Sequence, residues 1–478
     1  MDLGIIDATV WTASDERPGL LTDTTIGITD GEIVYLGDRA SLPTSPRRTI
    51  DGADLLVIPG LVDAHAHTGL RLAAGIAQDV PEIEWMTHAL GPVTREMDDD
   101  DRIAGARLGV LEAIQSGVTT VAEYAGEVRS LIETVHLPAG LRVVGIETIN
   151  EVAARPEGDM YELDRGVGEA ARQRAEALFE WVADVPRCSA MYGPQALDMV
   201  TLETMDELFE RATDTGRRLC IHLAQGGRER RQLEARYDVS SAYELLEAND
   251  WVDPRLVAVH AHGATETARE RMATAGVPLI GCPSSIAGID GINPPVASYL
   301  AHGGTAGIGS DQAPGGGGSH TLLNEIRQAW LAAKLTSGDP TTLPVWEILR
   351  VATIGGARAL GIDDIVGSIE VGKRADIACF DLTTSPLAPS PTSIGATPVA
   401  NLVSAGAGAA VAYLLIDGEL VINNGYVQTL EPIAVETDAI ERADNLHDRA
   451  RRAWLDAGSS LADASTEGGP FTSDDAAH

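Results

Sequence analysis

Lysine is nearly missing from this chain of 478 residues: Lys334 and Lys373 are the only two, so the 35 basic side chains are almost all arginine. Cysteine is scarce as well. Cys188, Cys220, Cys282 and Cys379 lie far apart with no C-x-x-C, which excludes a disulfide framework and a cysteine-built zinc module and leaves them as small buried hydrophobes. No apolar run reaches the roughly 18 residues of a membrane span, and Met1 to Asp7 carry no basic region ahead of an apolar stretch. A cytoplasmic location without membrane contact is expected. Basic groups are outnumbered 71 to 35, giving a formal charge of -36 and a pI near 4.5, which repels nucleic-acid phosphates. With phenylalanine scarce and alanine and glycine abundant, this is a halophilic composition, and the acidic excess reads as a salt-adapted, solvated surface.

What is present is a long α/β pattern. The length suits a barrel of roughly 250 residues or more plus an accessory domain. Residues 3–57 are short β-rich runs cut by turns, with Asp30-Gly31 placed for a tight hairpin. After Pro59, apolar strands alternate with amphipathic segments. Eight strands are expected, at 60–65, 119–124, 141–147, 188–192, 218–223, 256–260, 277–282 and 305–310. Eight such βα units close into a (β/α)8 TIM barrel. Helices are expected at 201–213, 265–275 and 344–360. β character returns at 375–380 and 413–416, mirroring the start of the chain, so both termini are expected to build one small β-sandwich domain. The division is 1–58 with 362–434 for the sandwich, 59–361 for the barrel, and 435–478 for an acidic tail, helical at 436–455 and disordered after Gly458.

Active sites in such barrels lie at the C-terminal ends of the strands. Pro59-Gly-Leu-Val-Asp-Ala-His-Ala-His67 ends the first strand in two histidines at i and i+2, which share one face. His222 lies on the fifth strand, His260 ends the sixth with His262 just beyond, and Asp311 follows the eighth. Three imidazoles and a carboxylate suit zinc or ferrous iron with a position open for water, whose pKa a metal lowers to roughly 7. Asp311 and His260 can orient that water and carry its proton. A second metal would need a bridging group such as a carbamylated lysine on an early strand, and both lysines come after the eighth, so one metal is expected. The insertion 69–101 carries Trp85, which either walls the substrate pocket or packs inward under a surface helix. Gly315-Gly-Gly-Gly318 lacks the lysine of a phosphate loop and reads as a mobile loop.

These residues resemble the amidohydrolase superfamily, in its branch of triazine hydrolases and S-adenosylhomocysteine deaminase-like enzymes. The likeness runs through Pro59–His67, Glu84-Trp85-Met86, Ser116-Gly-Val-Thr-Thr120, Ile221-His-Leu-Ala224, Val259-His260, Gly309-Ser-Asp311 and the stretch 367–376. It implies that His65, His67, His222 and Asp311 bind one divalent metal, with His260 beside the reacting water and His262 its rival. Two departures stand out. The resemblance places a ring-protonating glutamate at Gln225 and a histidine at Gln195, and neither amide can transfer a proton. Catalytic roles are assigned to His260, Asp311 and Gln225, and substrate contacts to Trp85, Gln195, Gln225 and Gln312. The expected function is hydrolysis of a non-peptide C–N bond in a small heterocycle, amidine or amide, by a homodimer or larger assembly. A dehalogenating hydrolase of a triazine-like ring and a non-catalytic ligand-binding descendant are the alternatives.

Overall fold

β-Branched and aliphatic runs build the first strands, β1 (Leu3–Trp11), β2 (Leu20–Thr29), β3 (Glu32–Asp38), β4 (Arg48–Asp51) and β5 (Leu55–Pro59). The computed structural model describes residues 1–16, 19–154, 160–312, 321–395 and 397–465. Asp30 and Gly31, at φ 49° and 75°, form the two-residue turn that sets Thr29 opposite Glu32 in the β2–β3 hairpin.

The barrel follows with β6 (Leu61–Ala66), β7 (Val118–Ala125) and β8 (Arg142–Ile149). A small hairpin, β9 (Val152–Ala154) with β10 (Glu162–Leu163), interrupts it. It resumes with β11 (Cys188–Pro194), β12 (Leu219–Leu223), β13 (Leu256–His260), β14 (Leu279–Gly281) and β15 (Ala306–Ile308). These eight barrel strands pair in parallel in chain order. Both of their faces are covered, which is why they read as continuous apolar runs. A parallel bridge between Ala66 and Asp311 brings the last strand back to the first.

Two strands are shorter than expected, for local reasons. Pro283 begins the helix Pro283–Asp290, so β14 stops at Gly281. Asp311 and Gln312 take left-handed angles, φ 60° and 47°, which ends β15 early.

The chain then returns to the first sheet through β16 (Ile377–Asp381), β17 (Val411–Ile416), β18 (Glu419–Asn423) and β19 (Tyr426–Val427). β16 lies antiparallel to β5, joining both termini in one nine-stranded mixed sheet. β1 pairs with β4 along its first half and β5 along its second, so the sheet wraps round a core of Ile5, Val10, Ile26, Ile377 and Leu415. This is the small sandwich.

Thr201 and Thr265 cap the helices Leu202–Thr215 and Glu266–Thr274 through their side-chain oxygens. Within the insertion 69–101, Trp85 opens the π-helical segment Trp85–Leu90 and packs inward in one apolar cluster with Leu446 and Ala450 of the helix Pro432–Ala457. That C-terminal helix is also tied down by charge, Arg442 pairing with Asp100 at 3.1 Å and Arg449 with Asp101. Past Gly458 the chain is helical again over Ser460–Ala464, and the Ser460 backbone N–H and hydroxyl donate to Glu84 at 3.0 Å. The Gly315–Gly318 loop and the tail beyond 465 lie outside the described residues.

Candidate active site and metal centre

Backbone bonding at the barrel closure places the first donors. Asp311 N–H donates to His65 O at 2.9 Å, and His67 N–H donates to Asp311 O at 3.0 Å. Asp63 clamps the same turn by accepting from Ser310 N–H at 2.9 Å and from its hydroxyl at 2.6 Å. The outcome is that Asp311 Oδ1 lies 3.3 Å from His65 Nε2 and 3.5 Å from His67 Nε2. The other carboxylate oxygen, Oδ2, accepts from the Ser285 hydroxyl.

β12 brings His222 to the same point. Its Nδ1 lies 2.8 Å from the Gln195 carbonyl, and His67 Nδ1 lies 2.6 Å from the Tyr124 carbonyl. Each carbonyl can only accept, so each Nδ1 carries the proton and each Nε2 is left with a bare lone pair. Those two Nε2 atoms face each other at 3.3 Å. Facing lone pairs at that distance repel unless a cation lies between them. His65 is buried with its Nε2 against Asp311 Oδ1 and with no hydrogen-bond partner for its Nδ1. His260, at the end of β13, sets its ring centroid 5.4 Å from that of His222 and 5.7 Å from that of His65.

Burial, followed by the neighbouring His65 imidazole, holds His67 and His222 below the usual histidine range, His222 far below. Burial takes His260 down to about 3. Neutral imidazoles are the form that ligates a metal. Burial alone would raise Asp311, but its contact with His65 and the facing imidazoles hold it well below the usual carboxylate range.

A cavity of about 620 Å³ opens above these groups, within the size range of small-molecule sites. His67, His222, His260, Asp311, Trp85, Gln195 and Gln225 all line it. Trp85, for which wall and inward packing were alternatives, packs inward at 8% exposure and also lines the cavity. His262 is not among the lining residues; its Nε2 lies 3.3 Å from Asp290 Oδ2.

Gln312 is the expected substrate contact that the structure turns elsewhere. Its Nε2 donates to Gly109 O at 3.3 Å, and it does not line the cavity. The left-handed backbone at Asp311 and Gln312 swings the side chain toward the helix Asp99–Gln115, where glycine leaves the room: a Cβ on Gly109 would lie 2.2 Å from Gln312 Oε1.

Sequence reasoning passed over Asp63, Ser285 and the Tyr124 carbonyl. Asp63 lies inside the Pro59–His67 motif and could have been found there. The other two carry no local signal.

A model of the amidohydrolase family matches residues 56–421. The chain belongs to the amidohydrolase family. It is 30% identical over 424 residues to a 5-methylthioadenosine/S-adenosylhomocysteine deaminase of Moorella thermoacetica, covering 87% of this chain and 94% of that one. Among solved structures it resembles a zinc-bound adenosine deaminase from Xanthomonas campestris, with a TM-score of 0.83 and 26% identity over 94% of this chain and 99% of the other. The zinc complex of an atrazine chlorohydrolase from Arthrobacter aurescens shares the fold, with a TM-score of 0.81 and 22% identity over 92% of this chain and 100% of the other. This amidohydrolase is a hydrolase of carbon–nitrogen bonds other than peptide bonds. Its histidine and aspartate groups, all buried but for the half-buried His67, fit a divalent metal ion, and the candidate donor atoms of His65, His67 and Asp311, and those of His65, His222 and His260, lie within 4.8 Å of one another. Among the described residues no helix is long and apolar enough to cross a membrane.

Proposed function

We propose that this amidohydrolase hydrolyses a C–N bond of a small amino-substituted heterocycle, releasing ammonia or an amine, with His65, His67, His222 and Asp311 holding one zinc ion. The observation that carries this reading is the pair of bare Nε2 atoms facing each other at 3.3 Å beside the Asp311 carboxylate. A divalent ion bound there supplies Lewis acidity, which makes water nucleophilic at neutral pH. A single ion is favoured by the two lysines, both engaged elsewhere: Lys334 Nζ donates to Thr342 O at 2.6 Å and Lys373 Nζ to Ser368 Oγ at 2.5 Å. The zinc of the Xanthomonas structure favours zinc over iron.

His260 and Asp311 flank the reacting position and carry the proton from water to the leaving group. Trp85, Met86, Met199 and Ile289 give the ring an apolar slot and keep bulk water out. Gln195 and Gln225 offer amide hydrogen bonds to ring nitrogens or exocyclic groups. The nucleosides in the names of its relatives, methylthioadenosine, S-adenosylhomocysteine and 5'-deoxyadenosine, head the list of substrates. Gln225 favours a second reading, loss of halide from a triazine-like ring, because a halide leaves without being protonated.

The test is ammonia, amine and halide release from those nucleosides and from amino- and chlorotriazines, using zinc-loaded protein in concentrated salt. Turnover that His222→Ala abolishes supports the reading. No product from any member of the panel would refute it.

A further inference from the structure

A further set of candidate donors joins His260 and Asp311, which the proposed function uses, to Cys282, which it does not. His260, Cys282 and Asp311 are all buried, and their candidate ligand atoms lie within 4.8 Å of one another. Cys282 sits between β14 and the helix Pro283–Asp290, the same junction that points Ser285 at Asp311. His260 Nδ1 is buried without a hydrogen-bond partner. Burying acidic groups together with an unpaired imidazole nitrogen is costly, and a cation among them offsets that cost.

We infer that His260, Cys282 and Asp311 form a second, weaker and inhibitory site for a thiophilic divalent cation such as zinc or cadmium, sharing Asp311 with the first. An imidazole, a thiol sulfur and a carboxylate make a donor set that prefers soft cations to magnesium or calcium. The cation enters through the cavity, where His260 and Asp311 are lining residues. As the sulfur–metal bond forms, the thiol proton leaves to solvent by the same route, with no change of oxidation state. Occupancy inhibits because it takes His260 away from proton transfer; this clause and the first zinc site rest on the function proposed above.

The test titrates cadmium into the one-zinc holoenzyme and follows three signals: metal equivalents bound, protons released, and the ultraviolet thiolate-to-cadmium charge-transfer band. The donors assigned to the first site include no sulfur, so the band reports a cysteine outside that site, and the Cys282 variants decide whether it is Cys282 or another of the four free cysteines. A second equivalent with about one proton released and a new band is expected, accompanied by at least a tenfold loss of whatever turnover the protein shows. Cys282→Ser and Cys282→Ala should keep the first equivalent and lose the band, the proton and the inhibition. A wild-type protein with no band at saturating cadmium overturns the inference, and so does an undiminished band in either variant. Because the band needs no substrate, failure of the proposed reaction leaves this result readable.

Discussion

Replacing Gln225 by glutamate probes the chemistry most directly, because that side chain lines the cavity at the point where a carboxylic acid is missing. The backbone there is firmly held. Ala224 and Gly226 take φ of 49° and 83°, and Gln225 N–H donates to Glu229 Oε2 at 2.6 Å. Gln225→Glu therefore changes one amide to an acid with little movement of the turn. Its protonation state follows from its neighbours. Glu229 is buried, and burial followed by the Asp198 charge pushes its carboxyl up to about 8. The new acid is half-buried next to the Glu229 carboxyl, and the partial loss of water there raises its pKa above the ordinary carboxylate range. An acid with a pKa near the working pH is the best placed to deliver a proton. General acid catalysis contributes roughly 10²- to 10⁴-fold, about 3 to 5 kcal/mol of barrier, so kcat on a deamination substrate should rise by up to that factor and acquire a descending alkaline limb. On a substrate that loses halide the acid gives no help, and kcat should fall as the acid ionises. The assay is kcat against pH on the best substrate of each kind, with metal content measured alongside. Equal kcat for Gln225→Glu and wild type on both substrates, at unchanged metal content, would show that position 225 stands outside the chemistry.

Three further outcomes are expected. Elemental analysis of active protein should find one tightly held divalent ion per chain, and His222→Ala should lose both that ion and turnover; two tight equivalents per chain would contradict the assignment. With a formal charge of -36, the melting temperature should drop sharply between molar potassium chloride and dilute buffer, and equal values would remove the halophilic reading. Glu229 should make stability depend on pH: its folded pKa of about 8 stands above the ordinary 4.5, so the unfolded chain loses that proton first and stability falls as pH rises between those values. Chemical denaturation across that window should show a shallower fall for Glu229→Gln than for wild type, and identical slopes would mean that the buried carboxyl is already ionised.

Barrel and sandwich were legible because their signals are local. A strand covered on both faces is a continuous apolar run, a hairpin is an Asp-Gly between two such runs, and helix starts such as Thr201 and Thr265 announce themselves through capping chemistry. A short polar strand such as β4 sends no such signal, since its order comes from neighbours distant in sequence. At the site, period-two geometry set His65 and His67 on one face from sequence alone, and the barrel rule drew attention to His222, His260 and Asp311 at strand ends.

Tertiary structure decided the rest, because barrel closure brings together groups hundreds of residues apart. Only the closed ring sets Asp63 against Ser310, 247 residues away, and so aims Asp311. The same closure turns Gln312 onto Gly109 and out of the cavity, and leaves Cys282 beside His260 and Asp311. The C-terminal helix Pro432–Ala457 reads in sequence as an acidic tail, because its charges are local and visible. Its place behind Trp85 depends on Leu446 and Ala450 meeting an insertion more than 300 residues earlier, which no sequence window contains. Residue types and their strand positions can be read in order along the chain, whereas which nitrogen faces which, and at what distance, is set by packing across the barrel.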